Sequence, residues 1–96
     1  MSDISIIIEK LKSTKPGLSA KYNIHNLAVF GSYSRNEQNA ESDIDIMVEF
    51  SKPIGLEFVS LALELEQLLG KKVDLVSKKA IKKGYLNYIL KDIKYV

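Results

Sequence analysis

Two aspartates, Asp43 and Asp45, stand two positions apart at the start of an apolar stretch that runs to Phe50. Side chains of a strand alternate between its faces, so both carboxylates would lie on one face, about 6 to 7 Å apart. Unpaired, two such charges repel by about 2 to 3 kcal/mol at an effective dielectric constant of about 20. A small domain is stable by only about 5 to 15 kcal/mol. The pair therefore predicts a compensating cation, and Mg²⁺ prefers carboxylate and phosphate oxygens.

The composition excludes several other kinds of site. A chain of 96 residues fits one domain, residues 1–96, and its formal net charge of +2 is too small to indicate nucleic-acid binding. The absence of cysteine excludes a disulfide, a thiolate nucleophile and a cysteine-type zinc site, and His25 alone cannot build a metal site, so oxygen atoms would hold any metal. No apolar run has the length of a membrane span and no signal-peptide pattern is present, so we expect a cytoplasmic protein that does not bind membranes.

Apolar spacing and turn residues predict three helices and four strands. In chain order these are helix 3–13, strands 27–30 and 43–50, helix 56–69, strand 72–77, helix 78–91 and strand 93–96. Ser2 or Asp3 would cap the first helix. Pro16 and Gly17 would end it, leaving residues 18–25 as a helical turn and a loop.

The two later helices are predicted to bury apolar stripes and to pack on the sheet. The stripe of the first comprises Leu56, Val59, Leu63 and the pair Leu68-Leu69, with Gly70 as a left-handed cap. That of the second comprises Leu86, Ile89 and Leu90. The order of elements predicts an α/β (α+β) fold, a small mixed β-sheet packed against helices on one face, with a helical crossover between the second and third strands.

Asp74 is the one charged residue of the segment 73–76, and three carboxylates on adjacent strands would meet at one end or one face of the sheet. Such an arrangement supports phosphoryl or nucleotidyl transfer, in which two Mg²⁺ ions clamp the attacking and leaving oxygens. Gly31 and Ser32 follow an apolar run, where glycine lets the backbone approach phosphate and the serine hydroxyl can bind it. Arg35 can donate hydrogen bonds to the same phosphates.

Each of these features also has an ordinary structural interpretation. A Gly-Ser pair after a strand is usually a turn, and an Asp-x-Asp pair is usually a surface feature. Asp74 could be an edge-strand charge that limits aggregation, and Arg35 could form a solvated ion pair. Their combination, with every part next to a strand, favours a functional site.

Tyrosines and lysines near these motifs have two interpretations each. Tyr33 either lines a nucleotide pocket or covers the edge of the core, whereas Tyr85 and Tyr88 are expected to pack in the core or in an interface. The basic segment Lys78–Lys83 is either a solvated helix face or a surface that attracts triphosphate or an acidic partner.

Gly31-Ser32, a short helix, Ser42-Asp43-Ile-Asp45 and the later Asp74 in Lys-Val-Asp-Leu-Val resemble the motifs of the polymerase-beta-type nucleotidyltransferase superfamily. More narrowly, the chain from about residue 27 resembles the minimal nucleotidyltransferases (MNT), the antitoxin partners of HEPN toxins. The resemblance implies the nucleotidyltransferase (polymerase-beta-like) fold. It implies that Asp43, Asp45 and Asp74 are catalytic and bind Mg²⁺, and that Gly31, Ser32 and Arg35 bind the phosphates of ATP.

The same resemblance implies transfer of AMP from ATP to a tyrosine of a HEPN-type ribonuclease toxin, which would block the toxin. Family members often carry glycine after the residue equivalent to Arg35, whereas this chain has Asn36, a residue type that tolerates the left-handed region. Two alternatives remain: a catalytically weak binding module that neutralises its partner by contact, and transfer to a small molecule, which the short chain disfavours. The three carboxylates favour the enzyme, and a homo- or hetero-oligomer is possible.

Overall fold

The computed structural model describes residues 3–96, so the predicted Ser2 cap lies outside the described residues. Its elements are α1 (Asp3–Tyr22), β1 (Ile24–Phe30), α2 (Gly31–Ser34), β2 (Ile44–Phe50), α3 (Glu57–Leu69), β3 (Val73–Ser77), a 3₁₀ turn (Lys78–Ala80), α4 (Lys83–Ile89) and β4 (Lys94–Tyr95). Within residues 3–96, no helix is long and apolar enough to cross a membrane.

The four strands form one mixed sheet with the order β3-β2-β1-β4. β1 is antiparallel to β2 and to β4, whereas β2 is parallel to β3. Parallel neighbours need a crossover connection, and α3 supplies it between β2 and β3. The predicted mixed sheet is confirmed, and its topology brings the end of β1 and the starts of β2 and β3 to one edge.

Both faces of the sheet are covered, so the prediction of helices on one face was wrong. The even-numbered apolar residues of β2 join α1 and α3 in one core cluster. Met47 packs on the opposite face with Phe30 and with Ile89 of α4, and Leu86 packs partly against this second cluster. Leu90 is exposed, so Ile89 is the fully buried member of the predicted stripe.

α1 continues through Pro16 and Gly17 to Tyr22, so the predicted end of the helix was wrong. A proline inside a helix costs about 3 kcal/mol because it lacks an N–H and crowds the preceding turn. Beyond it, Leu18 and Tyr22 are buried in the same cluster as Leu11. Burial of each large apolar side chain contributes about 1.5 to 3 kcal/mol. Tertiary packing of the last turn therefore offsets the local penalty.

α3 buries only the end of the predicted stripe, where Leu69 is buried and Leu68 packs against the core. Leu56, Val59 and Leu63 are 87%, 57% and 58% exposed, and the buried side chains are Leu61, Leu65 and Leu69. Both sets have helical spacing, so periodicity alone could not decide which stripe faces α1 and the sheet. The predicted cap is confirmed: Gly70 has a φ of +68°, and its N–H donates to the Glu66 carbonyl at 2.8 Å.

Candidate active site

Asp45 lies at the end of the sheet where β1 ends and where β2 and β3 begin. The register places it opposite Phe30 of β1 and beside Asp74 of β3. Asp45 is partly buried, whereas Asp74 and Asp43, which immediately precedes β2, are exposed. The structure thus brings Asp45 and Asp74 together and leaves Asp43 at the rim.

Gly31 directly follows Phe30 and packs against Asp45. Its φ of +75° lies in the left-handed region, which side chains disfavour. A Cβ on Gly31 would lie 2.0 Å from Asp45 Oδ2, far inside contact distance. Glycine is therefore required for two independent reasons, the backbone conformation and the space that the Asp45 carboxylate occupies. Ser32 is the next residue of α2 and is partly buried.

Burial and negative neighbours raise the pKa of Asp45 to about 6. Burial is the largest cause, followed by the charges of Asp74 and Asp43. The positive charge of Arg35 lowers the pKa in part, and a hydrogen bond with Asp74 raises it further. The carboxylates around Asp45 therefore repel one another, and binding of a proton or a cation would reduce this repulsion.

The raised pKa of Asp45 predicts a pH-dependent stability of the metal-free protein. An unfolded aspartate titrates at about pH 3.9, so the folded state binds this proton more tightly than the unfolded state. The stabilisation is complete below about pH 3.9 and is lost as the pH rises through about 6. In buffers with a chelator, the melting temperature should fall across this interval.

Asp45→Asn should remove that part of the fall, and differential scanning fluorimetry at successive pH values measures it. Above pH 4.5 Glu49 does not interfere, because hydrogen bonding to Asn26 lowers its pKa and its contribution to stability changes only below the ordinary value of 4.5. A variant whose melting temperature falls as steeply as that of the wild type would contradict the raised pKa.

Arg35 is held by two carboxylates. Its Nε lies 2.6 Å from Glu37 Oε1 and its Nη1 lies 3.4 Å from Asp92 Oδ2. The Ser34 hydroxyl also donates to the backbone carbonyl of Asp92. Exposed ion pairs contribute little to stability, so a phosphate could displace Glu37 at small cost. Arg35 meanwhile holds the segment after α4 beside α2.

An open cleft of about 240 Å³ lies between α2 and α4. Its lining residues are Phe30, Gly31, Ser32, Arg35, Asp45, Tyr85, Tyr88, Ile89 and Asp92. The sequence did not single out Asp92 or predict that Tyr85 and Tyr88 line a site. The tyrosines are 58% and 60% exposed, so of the two expected uses core packing was wrong, and packing in an interface stays a prediction. The available signal was the spacing of the tyrosines, because positions 85 and 88 share one face of α4.

Two other predicted features lie outside this cleft. Tyr33 is 1% exposed and belongs to the core cluster, so it packs in the core and does not line the pocket. Lys78 begins the 3₁₀ turn, where an α-helix was predicted, and its Nζ lies 3.8 Å from Glu49 Oε1. That ion pair fits the interpretation of a solvated surface.

Asn36 forms a left-handed turn after α2, as the sequence predicted, with a φ of +58°. Its N–H donates to the Tyr33 carbonyl at 3.2 Å. Asn36→Gly should change the free energy of unfolding by less than about 0.5 kcal/mol, whereas Asn36→Val should lower it by about 1 to 2 kcal/mol because a branched Cβ crowds this backbone. Urea denaturation measures both values, and equal stability of the two variants would contradict the strain argument.

The model of the family described as nucleotidyltransferase domain matches residues 5–96. The chain belongs to this nucleotidyltransferase family. The match begins before β1, so α1 is part of the family's domain as well as the motifs that follow it. The family predicted from Gly31-Ser32 and the aspartates is therefore confirmed.

Relatives of this nucleotidyltransferase agree with that assignment. A Methanocaldococcus jannaschii protein, provisionally named a protein adenylyltransferase, is 46% identical over 100 residues, covering 100% of both chains. A solved structure provisionally described as a minimal nucleotidyltransferase has a TM-score of 0.79 at 28% identity, covering 98% of this chain and 95% of that one. A toxin–antitoxin complex with AMP-PNP contains a chain with a TM-score of 0.73 at 25% identity, covering 88% and 70%. The predicted nucleotidyltransferase fold is confirmed.

The donor set of this nucleotidyltransferase suits a hard divalent cation. Asp45 and Asp74 are neighbouring carboxylates, and the pKa of Asp45 stays raised because Arg35 offsets the negative charge around it only in part. Oxygen ligands of this kind are those that Mg²⁺ prefers. Across residues 3–96, no three acidic, histidine or cysteine side chains are already grouped to hold an ion. A Mg²⁺ site would therefore depend on Asp45 and Asp74. Asp43 is close enough for its charge to raise the pKa of Asp45.

Proposed function

We propose that this nucleotidyltransferase transfers AMP from ATP to a tyrosine hydroxyl of a HEPN-type ribonuclease toxin and thereby acts as its antitoxin. The observation that carries the proposal is the meeting of Asp45 with Asp74 and Gly31 at one sheet edge. Two comparisons support it. A full-length relative is named a protein adenylyltransferase, and the fold matches a chain of a toxin–antitoxin complex with an ATP analogue.

The carboxylates bind the cation in this proposal, and one of them is also the base. Asp45 and Asp74, with Asp43 at the rim, hold Mg²⁺ as one or two ions. When bound, Mg²⁺ neutralises charge on the phosphates and on the leaving group. The tyrosine oxygen forms a bond to the α-phosphorus while the bond from that phosphorus to the β-phosphate oxygen breaks, releasing pyrophosphate. Asp74, the more exposed carboxylate, accepts the tyrosyl proton.

Residues of α2 hold the triphosphate in the same proposal. At Gly31 the backbone has no side chain between it and the β- and γ-phosphates, and the Ser32 hydroxyl donates to them. Arg35 donates its guanidinium N–H groups after a phosphate displaces Glu37. The proposal thus uses the three residues that the sequence singled out for phosphate binding.

The open cleft supports an acceptor supplied by another protein. Small-molecule sites commonly have volumes of about 300 to 1,000 Å³, whereas this cleft measures about 240 Å³. A nucleotide here is only partly enclosed, so its α-phosphate stays accessible from outside. A tyrosine on the surface of a partner can therefore reach the α-phosphate without any rearrangement of this chain.

Mass spectrometry of the partner tests the proposal. The chain is incubated with ATP, Mg²⁺ and its cognate HEPN-type protein, and the modified residue is mapped by fragmentation. The expected result is an adduct of AMP mass on a tyrosine, with a parallel loss of ribonuclease activity. Inhibition without added mass would overturn the proposal.

Such inhibition would favour the competing function, a binding module that neutralises its partner by contact. One observation favours that function: Leu56, Val59 and Leu63 leave an apolar stripe of α3 exposed. A stripe of this kind can bind a partner whether or not transfer follows. The exposed stripe therefore does not distinguish the two functions, whereas the adduct that the fragmentation experiment detects does.

A further inference from the structure

Two tyrosines of α4 are exposed and stacked on one another. Tyr85 and Tyr88 have ring centroids 6.3 Å apart and ring planes at 17°. This separation lies within the range of offset-stacked aromatic pairs. Each ring is more than half exposed, at 58% and 60%. The pair therefore presents a flat aromatic surface to solvent that the core does not use.

The helix that carries the pair is anchored on the sheet by two apolar side chains. Ile89 is 3% exposed and packs with Phe30 and Met47 on the second face of the sheet. Leu86 packs partly against the same cluster. Leu86 and Ile89 are three positions apart and share one helix face, as do Tyr85 and Tyr88. Packing of Leu86 and Ile89 on the sheet therefore fixes the direction in which the tyrosines project.

The tyrosines line the same cleft as the proposed phosphate-binding residues. One part of its wall is polar and charged, with Ser32, Arg35 and Asp45, and the other is aromatic, with Tyr85 and Tyr88. A nucleoside triphosphate has the same division, a charged triphosphate and a flat base. Aromatic side chains bind bases by stacking on their faces, a contact that every base offers.

We infer that Tyr85 and Tyr88 form the base-stacking platform of this site, on which the adenine of ATP lies. The inference rests on the proposed function, because that proposal assigns the triphosphate to Gly31 and Ser32. Tyr85 and Tyr88 are positioning residues, since they orient the nucleotide and touch none of the reacting atoms.

Calorimetry with two ligands tests the platform. ATP and inorganic tripolyphosphate, both with Mg²⁺, are titrated into the wild type, Tyr85→Leu and Tyr88→Leu, with Tyr85→Phe and Tyr88→Phe as matched controls. Base stacking on one aromatic ring corresponds to about fivefold to 150-fold in affinity. Each leucine variant should lose ATP affinity in that range and keep the wild-type affinity for tripolyphosphate. The phenylalanine variants, which keep the ring, should bind both ligands as the wild type does.

The outcomes separate the platform from the proposed function. Leucine variants that bind ATP as tightly as the wild type would overturn the platform and leave the proposed function standing. Phenylalanine variants as weak as the leucine variants would also overturn it, because the hydroxyls and not the rings would then bind. A wild type that binds neither ligand would overturn the proposed function and the platform together. Melting temperatures near that of the wild type confirm that the variants are folded.

Discussion

Gly31→Ala should reduce AMP transfer by about a hundredfold or more. A new Cβ would lie 2.0 Å from Asp45 Oδ2 and 3.0 Å from Asp45 Cγ, so the carboxylate must move away. A displacement of about 1 Å in a reacting constellation can cost about a hundredfold in rate. The φ of +75° adds backbone strain of about 1 to 2 kcal/mol, which lowers stability without unfolding a protein of ordinary stability.

The rate of AMP transfer to the partner measures this effect, and Gly17→Ala is the matched control. Gly17 lies in α1, where an added Cβ would meet no atom within 4 Å. That variant should keep its activity and gain about 0.5 to 1 kcal/mol of stability, because alanine favours the helix more than glycine does. A folded Gly31→Ala variant with wild-type activity would contradict the placement of Asp45 in the reaction.

Asp45→Asn should reduce transfer by about a thousandfold or more while raising the melting temperature at pH 7.5. Removing a carboxylate ligand forfeits several kcal/mol of charge stabilisation by the cation, and each 1.36 kcal/mol is tenfold in rate. The same change removes the cost of burying a charge and the repulsion from Asp74 and Asp43, which together raise the pKa of Asp45. Loss of activity with a gain in stability is the expected result for a residue kept for its chemistry.

Glu49→Gln is the matched control for this variant. Glu49 lies on the same strand and the same face, four positions along, and a hydrogen bond with Asn26 lowers its pKa. Its loss should leave transfer unchanged and slightly lower the stability, the reverse of both effects of Asp45→Asn. An Asp45→Asn variant that transfers AMP as the wild type does would remove Asp45 from the catalytic residues.

Much of the site followed from the sequence because its parts are local. Gly31 follows a strand, and Asp45 and Asp74 are each the second residue of a strand, so parallel pairing in register brings them together. The close contact of Gly31 with Asp45 did not follow, since it depends on the antiparallel register between Phe30 and Asp45. A shift of one residue would have turned Asp45 to the other face.

The wrong predictions for the helices have a common physical cause: tertiary packing, and not the local sequence, decides where α1 ends and which side of α3 is buried. Local signals end α1 at Pro16, but burial of Leu18 and Tyr22 keeps it helical. Two stripes of α3 have helical spacing, and only contact with α1 and the sheet decides which one is buried. The Arg35–Asp92 pair joins positions 57 residues apart, a distance over which no local pattern operates.

Inhibition of the partner by a substoichiometric amount of this chain tests the central claim most directly. The ribonuclease activity of the cognate HEPN-type protein is measured after incubation with ATP, Mg²⁺ and about one-fiftieth of its concentration of this chain. If the Asp45–Asp74 site transfers AMP, each molecule turns over and nearly all of the ribonuclease activity is lost. Loss of only about one-fiftieth of the ribonuclease activity, with complete loss only when the chain and its partner are at equal concentrations, would indicate neutralisation by contact. That result would contradict the account.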